Sequence, residues 1–314
     1  MGINIVKSNE PIDVSIIKVM LYGQPGVGKT STAFTASNVL MLDCDNGAYR
    51  SAFRKDIVDV TCWEDIANIS EDDLKGYDTV VIDTVGRLLD FLAASLISGN
   101  PKLGYQGALS LQGYGQLKSQ FAQWAKRLTT MGKDIVMIAH DKEDKRGDET
   151  VVRPDIQGGS YGEVFKIADA VGYMYRGVDG NVLDFNPSTK WEGKNVAGID
   201  AITLPNFTTN GDFFAEVIEN IKSEINRMGK EGKIIADTVS AFQGKVKKIK
   251  DAEGANKAMD EVSAGVPIAQ QQMKAVLWRH VKTLDGVDYS EDTLTFIDKD
   301  KQEAKPEEAA DDKA

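Results

Sequence analysis

The sequence predicts a three-layer α/β protein, and three observations carry that prediction. Short apolar runs rich in β-branched residues recur between Ser15 and Tyr175, longer stretches of helical character separate them, and the first run leads directly into a glycine-rich loop. Runs of about five apolar residues alternating with helices indicate parallel strands buried on both faces.

In order, Ser15–Tyr22 (SIIKVMLY) reads as the first strand and TSTAFTASN, after the loop, as a helix. Val39–Cys44 is a second buried strand, Ile57–Thr61 a short third and Thr79–Asp83 (TVVID) a fourth. A long helical region that includes Gln116–Thr129 precedes the strands Asp134–Ala139 and Ala170–Tyr175. Asp141–Gly159 is polar and aperiodic, the signature of a functional or disordered loop. Asp212–Met228 and Lys257–Leu284 look helical, with Trp278-Arg279-His280 as an amphipathic packing element. The closing KDKQEAKPEEAADDKA has the composition of a disordered tail. The expected organisation is a core over 1–210, a small helical appendage over 211–297 and a disordered acidic tail over 298–314.

At 42% hydrophobic and 27% charged residues, the composition is that of a soluble globular protein. The only cysteines are Cys44 and Cys62 and the only histidines His140 and His280, too few for a disulfide framework or a Cys/His zinc site. That usage fits a reducing cytoplasm, and no segment reaches membrane-spanning length, so no membrane partner is expected. The net charge of −11 excludes a uniformly basic nucleic-acid binder, but 11 acidic and 4 basic residues between Asp285 and Ala314 carry −7 of it. A body near −4 leaves room for a local basic groove.

Gly23-Gln24-Pro25-Gly26-Val27-Gly28-Lys29-Thr30 matches G-x-x-x-x-G-K-[ST] in full, with a strand before it and a helix after. Glycines at these positions let consecutive backbone N–H groups turn inward around phosphates. The loop and Ser31 behind it are therefore candidates to bind ATP, with Lys29 reaching the β- and γ-phosphates and the Thr30 hydroxyl ligating Mg²⁺. Asp83 ends its strand where a Mg²⁺-holding carboxylate belongs, although a strand-terminal Asp can instead cap the next helix. Asp43 and Asp45 flank Cys44 at the end of the second strand. Either can deprotonate the attacking water, and alternation does not choose between them. His140 closes its strand where a polar group can sense the γ-phosphate, or serve structurally.

Taken together, GQPGVGKT, LDCDNGA, VVIDT, IAH and the run from Asp141 through QGGSYGEVFKIADAVGYMYR resemble the RecA-like ATPase core, most closely that of phage-encoded RecA-like single-strand annealing proteins. The resemblance covers about Ile16–Gly177. It implies that Asp45 takes the catalytic-base position, usually Glu in the recombinases, and His140 the sensor position, often Gln. It also implies that Asp141–Gln157 is a mobile DNA-contacting loop hinged at Gly158-Gly159. Within that loop Lys142, Lys145, Arg146 and Arg153 can meet phosphates, although Glu143, Asp144, Asp148 and Glu149 nearly cancel them.

A second DNA-facing segment is implied at Gly104–Gly107 and Gln112–Gly115, where Tyr105 and Tyr114 can stack on bases or pack on the core. Lys190 and Lys194, with Arg176 behind them, are candidates for the basic residue that such ATPases insert into a neighbour's site. Lys245-Val246-Lys247-Lys248-Ile249-Lys250, preceded by Lys230 and Lys233, is another basic surface, or a solvated helix face. The implied activity is DNA-dependent ATP hydrolysis that drives annealing or strand exchange in phage homologous recombination. The implied partners are single-stranded DNA, further copies of the chain in a ring or filament, and a single-strand-binding protein. Two other readings stand beside it: a helicase-loader-type accessory NTPase acting on a protein, and a nucleotide-dependent binding module with little hydrolysis.

Overall fold

The computed structural model describes residue 10, residues 13–51 and residues 53–299. It divides into two compact units: Val14–Ile225, and a second that takes in residues 10 and 13 together with residues 226–299.

In the first unit β1 (Lys18–Gly23) passes through the glycine loop into α1 (Lys29–Ala33). This helix is shorter than TSTAFTASN suggests. After Ala33 the chain turns: the Thr35 hydroxyl donates to the Thr32 carbonyl at 2.6 Å and accepts from the Phe214 N–H at 3.0 Å. There follow β2 (Val39–Asp43), β3 (Asp56–Asp59), the single turn α2 (Glu64–Ala67), β4 (Thr79–Asp83) and α3 (Val85–Gly99). A two-residue hairpin pair, β5 (Gly104–Tyr105) and β6 (Ala108–Leu109), leads to α4 (Leu111–Thr130). Then come β7 (Asp134–Arg146), β8 (Glu149–Pro154), α5 (Ser160–Ile167), β9 (Ala170–Arg176), β10 (Asn181–Asp184), β11 (Ile202–Thr203) and α6 (Phe213–Val246).

The main sheet runs β11-β10-β9-β1-β7-β4-β2-β3, with β8 paired to β7. Every pairing from β9 to β3 is parallel, whereas β10 and β11 add an antiparallel edge. Alternate residues of one strand feed opposite cores. Met20 and Tyr22 join Leu42, Val80, Ile82 and Met137 against Leu88, Phe121 and Trp124. Val19 and Leu21 join Met41, Val81, Val136 and Ile138 against Phe34, Phe214 and Ile218. A strand apolar on both faces needs cover on both, and the helices supply it; this is the three-layer α/β core that the runs predict. Because the strands are parallel, all their carboxyl ends emerge along one rim, where the loops carrying polar groups gather.

Asp141–Gly159 is not the irregular loop that the sequence suggests. β7 continues past His140 to Arg146, turns at Gly147 (φ 66°), and β8 returns in register from Arg146 opposite Glu149 to Asp141 opposite Pro154. Mixed charges on a solvated ribbon leave little hydrophobic alternation to read, which is why the strand pattern is faint.

In the second unit, α6 ends at Val246 and is followed by α7 (Ala252–Ala264), α8 (Gln270–Val281) and the hairpin β12 (Val287–Ser290) and β13 (Thr295–Asp298). The helix expected over Lys257–Leu284 is two helices. Gly265-Val266-Pro267 parts them, since Pro267 has no N–H to continue the first. The hairpin was not foreseen, and it draws Asp298 into a strand; residues 300–314 of the expected tail lie outside the described residues. Phe242, Val246, Val262, Leu277, Val281 and Phe296 form this unit's core.

Candidate nucleotide site

At the carboxyl end of β1 the chain passes so close to β9 that a Cβ on Gly23 would lie 2.1 Å from the Met174 carbonyl oxygen. Only glycine fits there. Gly26 (φ 79°) and Gly28 (φ 93°) hold the positive angles that wrap the loop. Val27 is fully buried, and its carbonyl accepts from the Asn181 side chain at 3.1 Å, so β10 braces the loop from behind. Gln24, Pro25 and Gly26 are exposed, and Ser31 pairs its hydroxyl with that of Ser51 at 3.2 Å.

Lys29 is buried, and its ammonium donates to the carbonyls of Gly23 at 2.7 Å and Gln24 at 2.9 Å. Burial lowers its pKa from the ordinary lysine value. A buried ammonium with its hydrogen bonds turned on its own loop is poised to exchange those carbonyls for phosphate oxygens. Beside it the Thr30 hydroxyl donates to Asp83 Oδ2 at 2.6 Å. Burial raises the Asp83 carboxyl above its usual range, with the Thr30 contact opposing. One hydroxyl and one carboxylate are the donor set Mg²⁺ takes when phosphate and water oxygens complete its shell. Among the described residues no cluster of three or more His, Cys, Asp or Glu offers an all-protein metal cage. Thr30 and Asp83 therefore fit Mg²⁺ brought with a nucleotide. The alternative of Asp83 as a helix cap falls to its neighbour: Thr84 caps α3, accepting from the Arg87 N–H at 3.4 Å.

The structure separates the two acids that alternation could not. Asp43 is buried and accepts from the N–H groups of Gly47 at 3.0 Å and Ala48 at 2.9 Å, which ties down the loop after β2. Asp45 projects toward His140, with Oδ2 at 3.5 Å from Nε2. The imidazole holds the Asp45 carboxyl below the usual carboxylate range, against burial, which pushes it up. Cys44, between them, is buried, and burial drives its thiol far above the range where a thiolate forms.

Lys29, Thr30, Asp83, Asp45 and His140 line one cavity of about 440 Å³, together with Pro25, Gly26, Gly28, Ser31 and Arg50. Arg50 was not foreseen; it follows Asp45 in a short 3₁₀ turn and no motif marks it. Behind the Asp45–His140 pair a second hollow of about 310 Å³ continues along the rim past Thr84, Arg87, Asp155 and Gln157. Arg176, at the end of β9, reaches within 3.6 Å of where a Gly26 Cβ would stand, so it is a neighbour of this chain's own loop.

Several of the outlying candidates are held by partners of their own. On the ribbon, Arg153 Nε bonds Asp144 at 2.9 Å and its guanidinium lies over the Tyr161 ring at 4.8 Å. Arg146 pairs with Glu192, and Lys142 stands 3.9 Å from Asp155. Of the four, only Lys145 has no ion-pair partner among the described residues. Tyr105 is 70% exposed. Tyr114 sits in the first turn of α4, which begins at Leu111 rather than Gln116, and packs its half-buried ring on the core near Gly158. Lys194 donates to the Ala168 carbonyl just before β9, and its backbone pairs with Val171 near the amino end of that strand. Lys190 lies exposed in the turn before it, its carbonyl accepting from the Val152 N–H.

No helix among the described residues is long and apolar enough to cross a membrane. A family model described as an AAA domain matches residues 15–196, more than half of the chain. No curated protein matches the sequence.

Proposed function

We propose that this chain, which belongs to the AAA domain family, hydrolyses ATP with Mg²⁺ and couples that cycle to single-stranded DNA in annealing or strand exchange during phage recombination, working as a ring or filament. The observation that carries the ATPase reading is one cavity holding Lys29, the Thr30–Asp83 pair and the Asp45–His140 pair.

In this reading the loop N–H groups and Lys29 hold the phosphates. Thr30 and Asp83 would hold Mg²⁺, which when bound would supply charge neutralisation to the phosphates. Asp45, kept ionised by His140, takes the proton of the attacking water as its oxygen bonds the γ-phosphorus. The bond from that phosphorus to the bridging oxygen breaks, and ADP leaves with the electron pair. Arg50 on the cavity wall adds positive charge where the phosphates would lie. The DNA component rests on the resemblance to annealing proteins and on the exposed Tyr105.

A second reading, an accessory NTPase acting on a protein partner, draws support from the β7–β8 ribbon, where three of the four candidate cations are held by acids of the same unit. The deciding experiment is ATP hydrolysis with and without oligo(dT), alongside Lys29→Ala. Stimulation by DNA that disappears in the variant, with hydrolysis down by about 10²-fold or more, supports the DNA-coupled machine. Hydrolysis indifferent to DNA, with no DNA binding at low salt, replaces it with the protein-partner reading.

A further inference from the structure

The run Lys245–Lys250 and the segment Trp278–Lys282 look unrelated in sequence, but the fold joins them. The ring of His280, near the end of α8, lies 3.0 Å from the carbonyl of Ile249, in the turn between α6 and α7. Val246 and Val281 are buried in the same core, with Ile249 and Leu284 packed against it. Trp278 packs edge-on against Phe296 and Tyr289, fixing α8 on the β12–β13 hairpin.

Around this contact Lys247, Lys248, Lys250, Arg279 and Lys282 are all exposed. None has an ion-pair partner among the described residues, whereas Lys245 and Lys257 in the same unit do, with Glu261 and Glu253. Nearby acids serve the backbone: Asp251 accepts from the Gly254 N–H and Asp298 from the Ala252 N–H, both at the start of α7. Gathering five cations in a chain of net charge −11 costs mutual repulsion. A polyanion with regularly spaced charges relieves it and releases its own counterions on binding.

We propose that this cluster is the surface that holds the phosphate backbone of single-stranded DNA. It rests on the DNA-coupled reading above, and it moves the main contact from the ribbon to the second unit. Contacts from lysines and an arginine to phosphates predict binding that is strongly salt-dependent and indifferent to sequence.

The test uses the full chain and fluorescein-labelled oligo(dT), read by anisotropy from about 0.05 to 0.5 M NaCl. Changing Lys247, Lys248 and Lys250 together to Gln is expected to weaken binding at least about tenfold at low salt. The slope of log K against log salt should flatten by about 2, at about 0.7 per lost phosphate contact on a single strand. The same three changed to Arg should bind as the unaltered chain does, and Lys145→Gln should change little. Hydrolysis without DNA stays the same in the Gln variant, and an unchanged far-ultraviolet circular dichroism spectrum and thermal melt show that the second unit is folded. If the unaltered chain binds oligo(dT) and the Gln variant binds it equally with the same slope, the cluster proposal is overturned while the DNA-coupled reading stands. If the unaltered chain ignores oligo(dT), both fall; retention of poly-glutamate in that case identifies an acidic polypeptide as the partner.

Discussion

Around the phosphate loop, charge is buried and already answered: Lys29 by two carbonyls, Asp83 by Thr30, Asp43 by two backbone N–H groups. Around Ile249 and His280, charge is exposed and unanswered, with five cations lacking an acid partner among the described residues. The difference is one of cost. Burying an ion that lacks partners is prohibitive, so a buried charge implies a built arrangement and its meaning can be read from its contacts. An exposed lysine costs almost nothing, and only its crowding with others carries information. Substitutions in the first region should act through geometry and be insensitive to salt. Those in the second should act through charge and fade as salt rises.

The sharpest test of that contrast lies inside the nucleotide site, between two carboxylates two positions apart. Asp45→Asn should lower hydrolysis by about 10²- to 10⁴-fold, the usual worth of a general base, while nucleotide binding and thermal stability stay nearly unchanged. Asp43→Ala should do the reverse. Losing the acceptor for the Gly47 and Ala48 N–H groups should cost about 1–3 kcal/mol of stability, with hydrolysis per folded molecule largely kept. Turnover together with thermal melting separates them. Equal losses of turnover with equal stability would mean that Asp43, not Asp45, faces the water.

That pair also marks what the sequence could tell. The phosphate loop and Asp83 were legible because their chemistry is fixed by local spacing: a strand, a glycine turn, a helix, and a second strand ending in an acid. The parallel core was legible for the same reason, since strands covered on both faces read as unbroken apolar runs. Asp43 and Asp45 were not separable, because the distinction depends on where the backbone turns after β2. The ribbon was missed because beyond Ala139 its strands bury only Val151 and Pro154, too few to show as apolar alternation. Arg50 and the joining of Lys247–Lys250 with Arg279 and Lys282 were missed because each depends on contacts between segments distant in the chain, such as His280 with Ile249.

A smaller effect concerns how His140 tunes its neighbour. The imidazole holds the Asp45 carboxyl below its ordinary value. A depressed acid is ionised at a lower pH, so any stability it lends is complete above the unfolded value near 3.9 and is lost as pH falls through the lower folded value. Removing the imidazole raises the carboxyl toward that ordinary value. In His140→Ala the acid limb of kcat should therefore move to higher pH, by less than a unit because Asp45 is partly solvated. His140→Gln, which restores a donor, should return most of the shift. Measuring kcat from about pH 4 to 8 in all three proteins checks this. Identical acid limbs would show that the two side chains share a wall without sharing a proton or a hydrogen bond.

The smallest effect belongs to the exposed cluster, and it follows from charge alone. Asp300–Ala314 holds six acids and three lysines. The residue before it, Lys299, donates its N–H to the Gly286 carbonyl at 3.0 Å, in the turn that follows Lys282. A net-negative segment tethered beside exposed cations competes with a nucleic acid for them at a high effective concentration. Deleting 300–314 should tighten oligo(dT) binding a few-fold at about 0.1 M salt, where charges act over about 10 Å, and leave it unchanged near 1 M, where they act over about 3 Å. The cut belongs after Lys299 rather than before Asp298, because Asp298 accepts from the Ala252 N–H at the start of α7 and pairs with Val287 across the β12–β13 hairpin, and its loss would confound charge with folding. In the Gln variant of Lys247, Lys248 and Lys250 the same deletion should do nothing. If it tightens binding there as much as in the unaltered chain, the tail acts elsewhere, and the cluster loses its claim to be the surface over which tail and DNA compete.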